Sequence, residues 1–143
     1  MITFETDEGL KFTLKQKMHL KKWIKRVVEE QYQLKVGDLT YIFCGDEKIL
    51  EVNRQYLQHD YYTDIITFDY CEGGKVSGDM FISVETVSSN AEQYNEPYLR
   101  ELHRVIIHGV LHLCGLKDKS DADAKKMRAA EERALELLEQ TAL

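Results

Sequence analysis

The segment PYLRELHRVIIHGVLHLCG, from Pro97 to Gly115, leaves this chain the least freedom. Proline suits the first turn of a helix, where its missing N–H is no loss, and glycine suits the residue just past the end, so the two bound one long helix. Inside it, His108 and His112 stand four residues apart. On an α-helix such residues are offset by about 40° and roughly 6 Å along the axis, so both imidazoles can turn to one point. That suits a zinc ion with Zn–N distances of about 2.0–2.1 Å; it also suits a buried helix whose histidines are satisfied by hydrogen bonds. The metal reading needs a third donor. Gly115 can send the chain back past the histidines in a left-handed conformation, and Asp118 follows with a carboxylate on a short arm. Three protein ligands and one open position is how catalytic zinc sites differ from structural ones.

The neighbouring candidates fare worse. Cys114 lies about 200° around the helix from His112, and His103 about 140° from His108, so neither shares the proposed point. His19 and His59 stand alone and read as surface or structural residues. Ser120 with Asp123 serves the start of the last helix, which leaves Asp118 for a metal. Zinc peptidases of the H-E-x-x-H type carry their general base directly after the first histidine, and here that position is Gly109.

Composition sets the outer bounds. The chain has 143 residues, 43% hydrophobic and 31% charged, enough for one globular domain with a real core. No apolar run approaches the roughly 20 residues of a membrane span, and MITFETDEGL lacks the layout of a signal peptide, so a cytosolic protein without a membrane partner is expected. Three unpatterned cysteines, Cys44, Cys71 and Cys114, do not suggest a disulfide framework. A net charge of −6 argues against coating nucleic acid by bulk electrostatics. Locally the balance reverses: from Lys11 to Arg26 there are seven Lys/Arg and no acid. That run is either a solvated helix face or an RNA-facing patch.

Along the chain, alternation in ITFET and KFTL predicts a short strand within the first fourteen positions. An amphipathic helix follows, with Leu14, Met18, Trp23, Val27 and Val28 as its stripe. Gly37 and Asp38 punctuate before a strand LTYIFC. Asp46 is a plausible N-cap for a helix with Ile49, Leu50, Val52 and Tyr56 as its apolar stripe. TDIITFDY is a strand, CEGGKVSGD a turn-rich connection, MFISVET another strand, and Val84–Gln93 a short helix. The last helix is expected from Ser120 to about Glu139. The order describes one α/β domain spanning residues 1–143.

With these residues in view, HGVLHLCGLKD resembles the metal motif of the YbeY family of endoribonucleases, H-G-x-L-H-L-x-G-x-D-H, matching its first eight positions through Gly115. NRQYLQHDYYTDIITFDY resembles the family's N-x-x-Y…T-D-V-L-S-F segment, and SGDMFIS its L-G-D-I-x-I strand, so the likeness covers roughly residues 40 to 135. Two departures stand out. The family's third histidine falls on Asp118, and Leu57 occupies the place of an expected basic residue, with Arg54 one turn earlier. A carboxylate is a competent zinc ligand, and it shifts tolerance towards harder ions.

The resemblance implies a zincin-like α+β fold, a small mixed four-stranded sheet flanked by about five helices. It implies one zinc ion per chain, held by His108, His112 and Asp118, and metal-dependent cleavage of single-stranded RNA in 16S rRNA maturation and ribosome quality control, with the ribosome or its proteins as partners. Thr67 would donate a hydrogen bond to substrate, and Arg54, Lys21 and Lys22 would meet its backbone. No residue stands out as the general base. The rival expectations are a ribosome-associated factor in which the metal is only structural, and a zinc metallopeptidase, which Gly109 disfavours.

Overall fold

The structure, a computed structural model, describes residues 1–57 and 63–140. Four strands form one sheet: β1 (Ile2–Thr6), β2 (Lys35–Cys44), β3 (Ile65–Asp69) and β4 (Lys75–Ser83). Their order is β1-β2-β4-β3, with β1, β2 and β4 parallel and β3 antiparallel at the edge. The helices are α1 (Lys17–Arg26), α2 (Asp46–Val52), α3 (Val84–Gln93), α4 (Tyr98–Leu113) and α5 (Asp121–Gln140). This is the mixed sheet with five helices that the resemblance implies.

The pleat divides the core. Along β4, Val76, Met80 and Ile82 turn to one face and join Leu39, Tyr41 and Phe43 of β2 beneath residues of α1, α3, α4 and α5. On the other face Ile66 packs with Cys44, Ile49 and Val52 under α2. α4 is the central element, with all of Glu101–Ile107 buried. The Tyr41 hydroxyl, at the bottom of this core, donates to the Ile106 carbonyl at 2.8 Å.

Several local expectations are corrected. The short strand expected within the first fourteen positions is β1, formed by ITFET alone; Leu14 is buried ahead of α1 rather than within it, and Met18 is exposed. Trp23, Val27 and Val28 of the expected stripe are buried, joined by Leu20 and Ile24, and the last turn, Val27–Gln31, widens to π-helical geometry. Gly37 and Asp38 do not interrupt β2. They form an irregularity in its pairing with β4, where a Cβ on Gly37 would sit 2.1 Å from the Ser77 hydroxyl oxygen. Gly45, not Asp46, caps α2, and the Asp46 carboxylate accepts from the Ser83 hydroxyl at 2.6 Å. Tyr56 is exposed. The connection before β4 is shorter than expected: Gly73 and Gly74, both at positive φ, turn a tight hairpin between Glu72 and Lys75, and the strand begins there. It ends at Ser83, whose hydroxyl caps α3 by accepting from the Thr86 N–H. The three cysteines are free thiols.

Candidate functional site

α4 ends as its sequence suggests. The Gly115 N–H donates to the His112 carbonyl at 3.0 Å and the Leu116 N–H to the Leu111 carbonyl at 3.1 Å, a paired C-terminal cap closed by glycine at φ +107°. The chain therefore reverses, and Asp118 Oδ2 comes to 3.4 Å from His108 Nε2. His112, one turn beyond His108, lines the same cleft. Gly109 between them turns towards the sheet. A Cβ there would lie 2.6 Å from Met80 Sδ and 2.9 Å from Ile65 Cδ1, so α4 seats against the sheet at this residue.

The cleft has a volume of about 390 Å³. α4 and Asp118 form one wall; Ile65, Ile66 and Thr67 of β3 and the turn Asn53–Leu57 form the other. Thr67 thus faces the space beside His108 and His112. Asn53 and Leu57 also line it, with Asn53 buried and Leu57 partly exposed, and Arg54 stands exposed on the same turn.

Behind the cleft lies a buried charge cluster. His108 Nδ1 is 2.7 Å from Glu131 Oε2 on α5. The other oxygen of Glu131 accepts from Arg104 at 3.2 Å, and Arg104 also bonds Glu132 and lies 3.7 Å from Glu101. Burial works to lower the His108 pKa, but the hydrogen bond and charge of Glu131, helped by Asp64 and Asp118, outweigh it and raise the pKa. Burial holds the Asp64 carboxyl above its usual range although His108 opposes it. A second cavity of about 310 Å³ adjoins the cleft, sharing His108 and Asp118 and lined also by Asp64, Arg104 and Glu131.

Sequence reasoning missed Glu131 and Arg104. One signal was available: Met127, Ala130, Ala134, Leu135 and Leu138 mark the buried stripe of α5, and Glu131 falls on it. A carboxylate on an apolar stripe needs a partner in the core.

Other candidates are placed elsewhere. Lys21 and Lys22 line a groove of about 380 Å³ beside Met1, Ile2 and Lys35, at the β1 edge of the sheet, across from the histidine cleft on the β3 side. His103 is buried with its ring 6.1 Å from that of Trp23. Cys114 packs partly buried against the core, and burial pushes its thiol up to about 12. His19 is half-buried on α1, and His59 lies outside the described residues. Among the described residues, no three His, Cys, Asp or Glu side chains already converge on one point.

The fold and the cleft define a class: α+β proteins that hold a histidine–carboxylate site between a buried helix and the edge strand of a small mixed sheet. The solution structure of TM1509 from Thermotoga maritima has this fold, with a TM-score of 0.69 and 26% identity over 96% of this chain and 89% of that one. The family profile described as Endoribonuclease YbeY matches residues 3–139, so the chain belongs to that family of RNA-cleaving hydrolases. It is 61% identical to the Endoribonuclease YbeY of Phocaeicola vulgatus, over 96% of this chain and 99% of that relative. It is 59% identical to that of Bacteroides fragilis, over 97% and 99%. The likeness extends beyond the segment that carries the motifs, into the basic first helix.

Proposed function

We propose that this chain is a metal-dependent endoribonuclease that cuts single-stranded RNA during 16S rRNA maturation and ribosome quality control in the cytoplasm, with a divalent ion, zinc by preference, held by His108, His112 and Asp118. One observation carries the site. Because Glu131, as a carboxylate, only accepts, its contact makes Nδ1 the donor in neutral His108 and turns the lone pair of Nε2 towards Asp118 Oδ2 at 3.4 Å. In the metal-free chain a proton on Nε2 bridges the two, and a divalent ion would take that proton's place. At that separation His108 Nε2 and Asp118 Oδ2 would be the first two donors to hold the ion. His112 is within reach of the same point by side-chain rotation, as the i, i+4 spacing allows.

When bound, the ion supplies Lewis acidity at a phosphate oxygen or at water. The chain supplies the rest. β3 borders the cleft so that an RNA strand lies along it, and the Thr67 hydroxyl donates to that strand. Arg54 meets a neighbouring phosphate from the rim of the cleft. Lys21 and Lys22, on the far edge of the sheet, meet the backbone of a longer substrate and take no part at the scissile bond. Glycine at 109, in place of a general-base carboxylate, counts against the peptidase alternative.

The test joins metal content to cleavage. Elemental analysis of wild type should give about one zinc per chain, and His112→Ala and Asp118→Ala should lose most of it. A chelator should abolish cleavage of single-stranded RNA while circular dichroism keeps its helical signal. Cleavage that survives complete removal of metal would rule the reading out, and metal retained in Asp118→Ala would remove that ligand from the set.

A further inference from the structure

Glu131 has no part in the motif that marks the metal site, yet it is the residue that touches His108 most closely. We propose that Glu131, itself held by Arg104, is a positioning residue: it fixes the tautomer and ring orientation of His108 and so sets how tightly the cleft holds its ion. The proposal rests on the metal reading above.

Glu131 divides its two oxygens, Oε1 on Arg104 at 3.2 Å and Oε2 on His108 Nδ1 at 2.7 Å. Its side chain is 7% exposed and that of Arg104 is 5% exposed, so neither charge is relieved by water. Arg104 does not need Glu131 for neutrality, because Glu132 bonds it and Glu101 stands at 3.7 Å. Glu131 thus gives one oxygen to Arg104 and directs the other at the His108 N–H. A carboxylate on the far nitrogen of a ligating histidine selects one tautomer and raises the basicity of the other nitrogen; without such a partner, metal binding typically weakens by about 10- to 100-fold. The contact also ties the site to α5, whose own position depends on Arg104 and on Arg100, which bonds Glu132 at 3.0 Å and Glu139 at 2.9 Å.

The experiment compares wild type, Glu131→Gln, Glu131→Leu and Glu132→Gln. Glu132 shares the Arg104 network but has no contact with His108 among the described residues. Zinc affinity is measured by competition with a chromophoric chelator, and the imidazole tautomers by ¹⁵N–¹H NMR of the metal-free proteins at mildly alkaline pH. Glu131→Gln should bind zinc about 10-fold more weakly or worse. Glu132→Gln should stay within about twofold, since only the route through Arg104 is touched. His108 should carry its proton on Nδ1 in wild type and lose that preference in Glu131→Leu. Equal zinc affinity in wild type and Glu131→Gln overturns the proposal, as does equal weakening by Glu132→Gln or an Nε2-protonated His108 in wild type. If wild type binds no zinc, the metal reading fails on its own; the NMR result then decides whether Glu131 positions His108.

Discussion

Single residues set the tolerances of this site. Gly78 of β4 lets the strand pass beneath the end of α4: a Cβ there would lie 2.5 Å from the Phe68 carbonyl oxygen and 3.1 Å from Leu113 Cδ1. The first of these neighbours is backbone of the paired strand and has little room to yield. Gly78→Ala should therefore destabilise the protein by about 1–3 kcal/mol, read from the urea midpoint at unchanged m-value. His103 carries a different constraint. Burial, with a smaller contribution from His19, lowers its pKa from 6.5 to about 4, and its Nε2 has no partner among the described residues. A histidine held neutral in the fold contributes stability above its unfolded pKa and loses it as pH falls towards the folded value. Between about pH 7 and pH 5 this residue should remove about 2 kcal/mol of stability, and that increment should be missing in His103→Phe. A stability profile with the same acid slope in both proteins would contradict the shift.

At the scale of elements, α4 and α5 depend on each other through charge as much as through apolar packing. Arg104 sits in the buried face of α4, and Glu131 in the buried stripe of α5. Removing one member of such a cluster leaves an uncompensated charge in the core. Arg104→Met should cost about 3–5 kcal/mol in chemical denaturation, clearly more than removal of the solvent-screened surface pair Arg26–Glu30. The element boundaries show where local reading works. The cap at Gly115 and the Ser120 cap of α5, which accepts from the Asp123 N–H at 3.1 Å, follow from residues within one turn. The start of β4 is harder to place, because Gly73, Gly74 and Gly78 look alike in sequence. Two of them turn a hairpin, and the third sits inside a strand for the sake of close packing.

For the whole molecule, the question is how a chain of net charge −6 meets RNA. Positive charge is concentrated in the groove where Lys21, Lys22, Lys25 and Lys35 gather, on the other side of a sheet whose outer strands are about 14 Å apart. A substrate of two or three nucleotides in the histidine cleft should not feel that groove. Lys21→Ala with Lys22→Ala should leave cleavage of such fragments unchanged. The double variant should weaken binding of long single-stranded RNA and flatten its salt dependence by roughly 0.7 for each phosphate no longer neutralised. Equal effects on short and long substrates would place the lysines at the cleavage site. No helix among the described residues is long and apolar enough to cross a membrane.

The order of residues, taken alone, decides whatever depends on short separations along the chain. The length of α4, the one-turn spacing of His108 and His112, the reversal at Gly115 and the return of Asp118 all lie within about twenty residues. Backbone periodicity and a glycine at positive φ are enough to set them. The surroundings of that core of the site come from the tertiary fold. Glu131 reaches His108 from a helix 23 residues later. β3 closes the cleft from the opposite wall, and the first-helix lysines that a linear reading would send to the same RNA line the far sheet edge. Such neighbours depend on how helices dock on a sheet. Docking follows from burial summed over many residues and is encoded in no single interval of the chain.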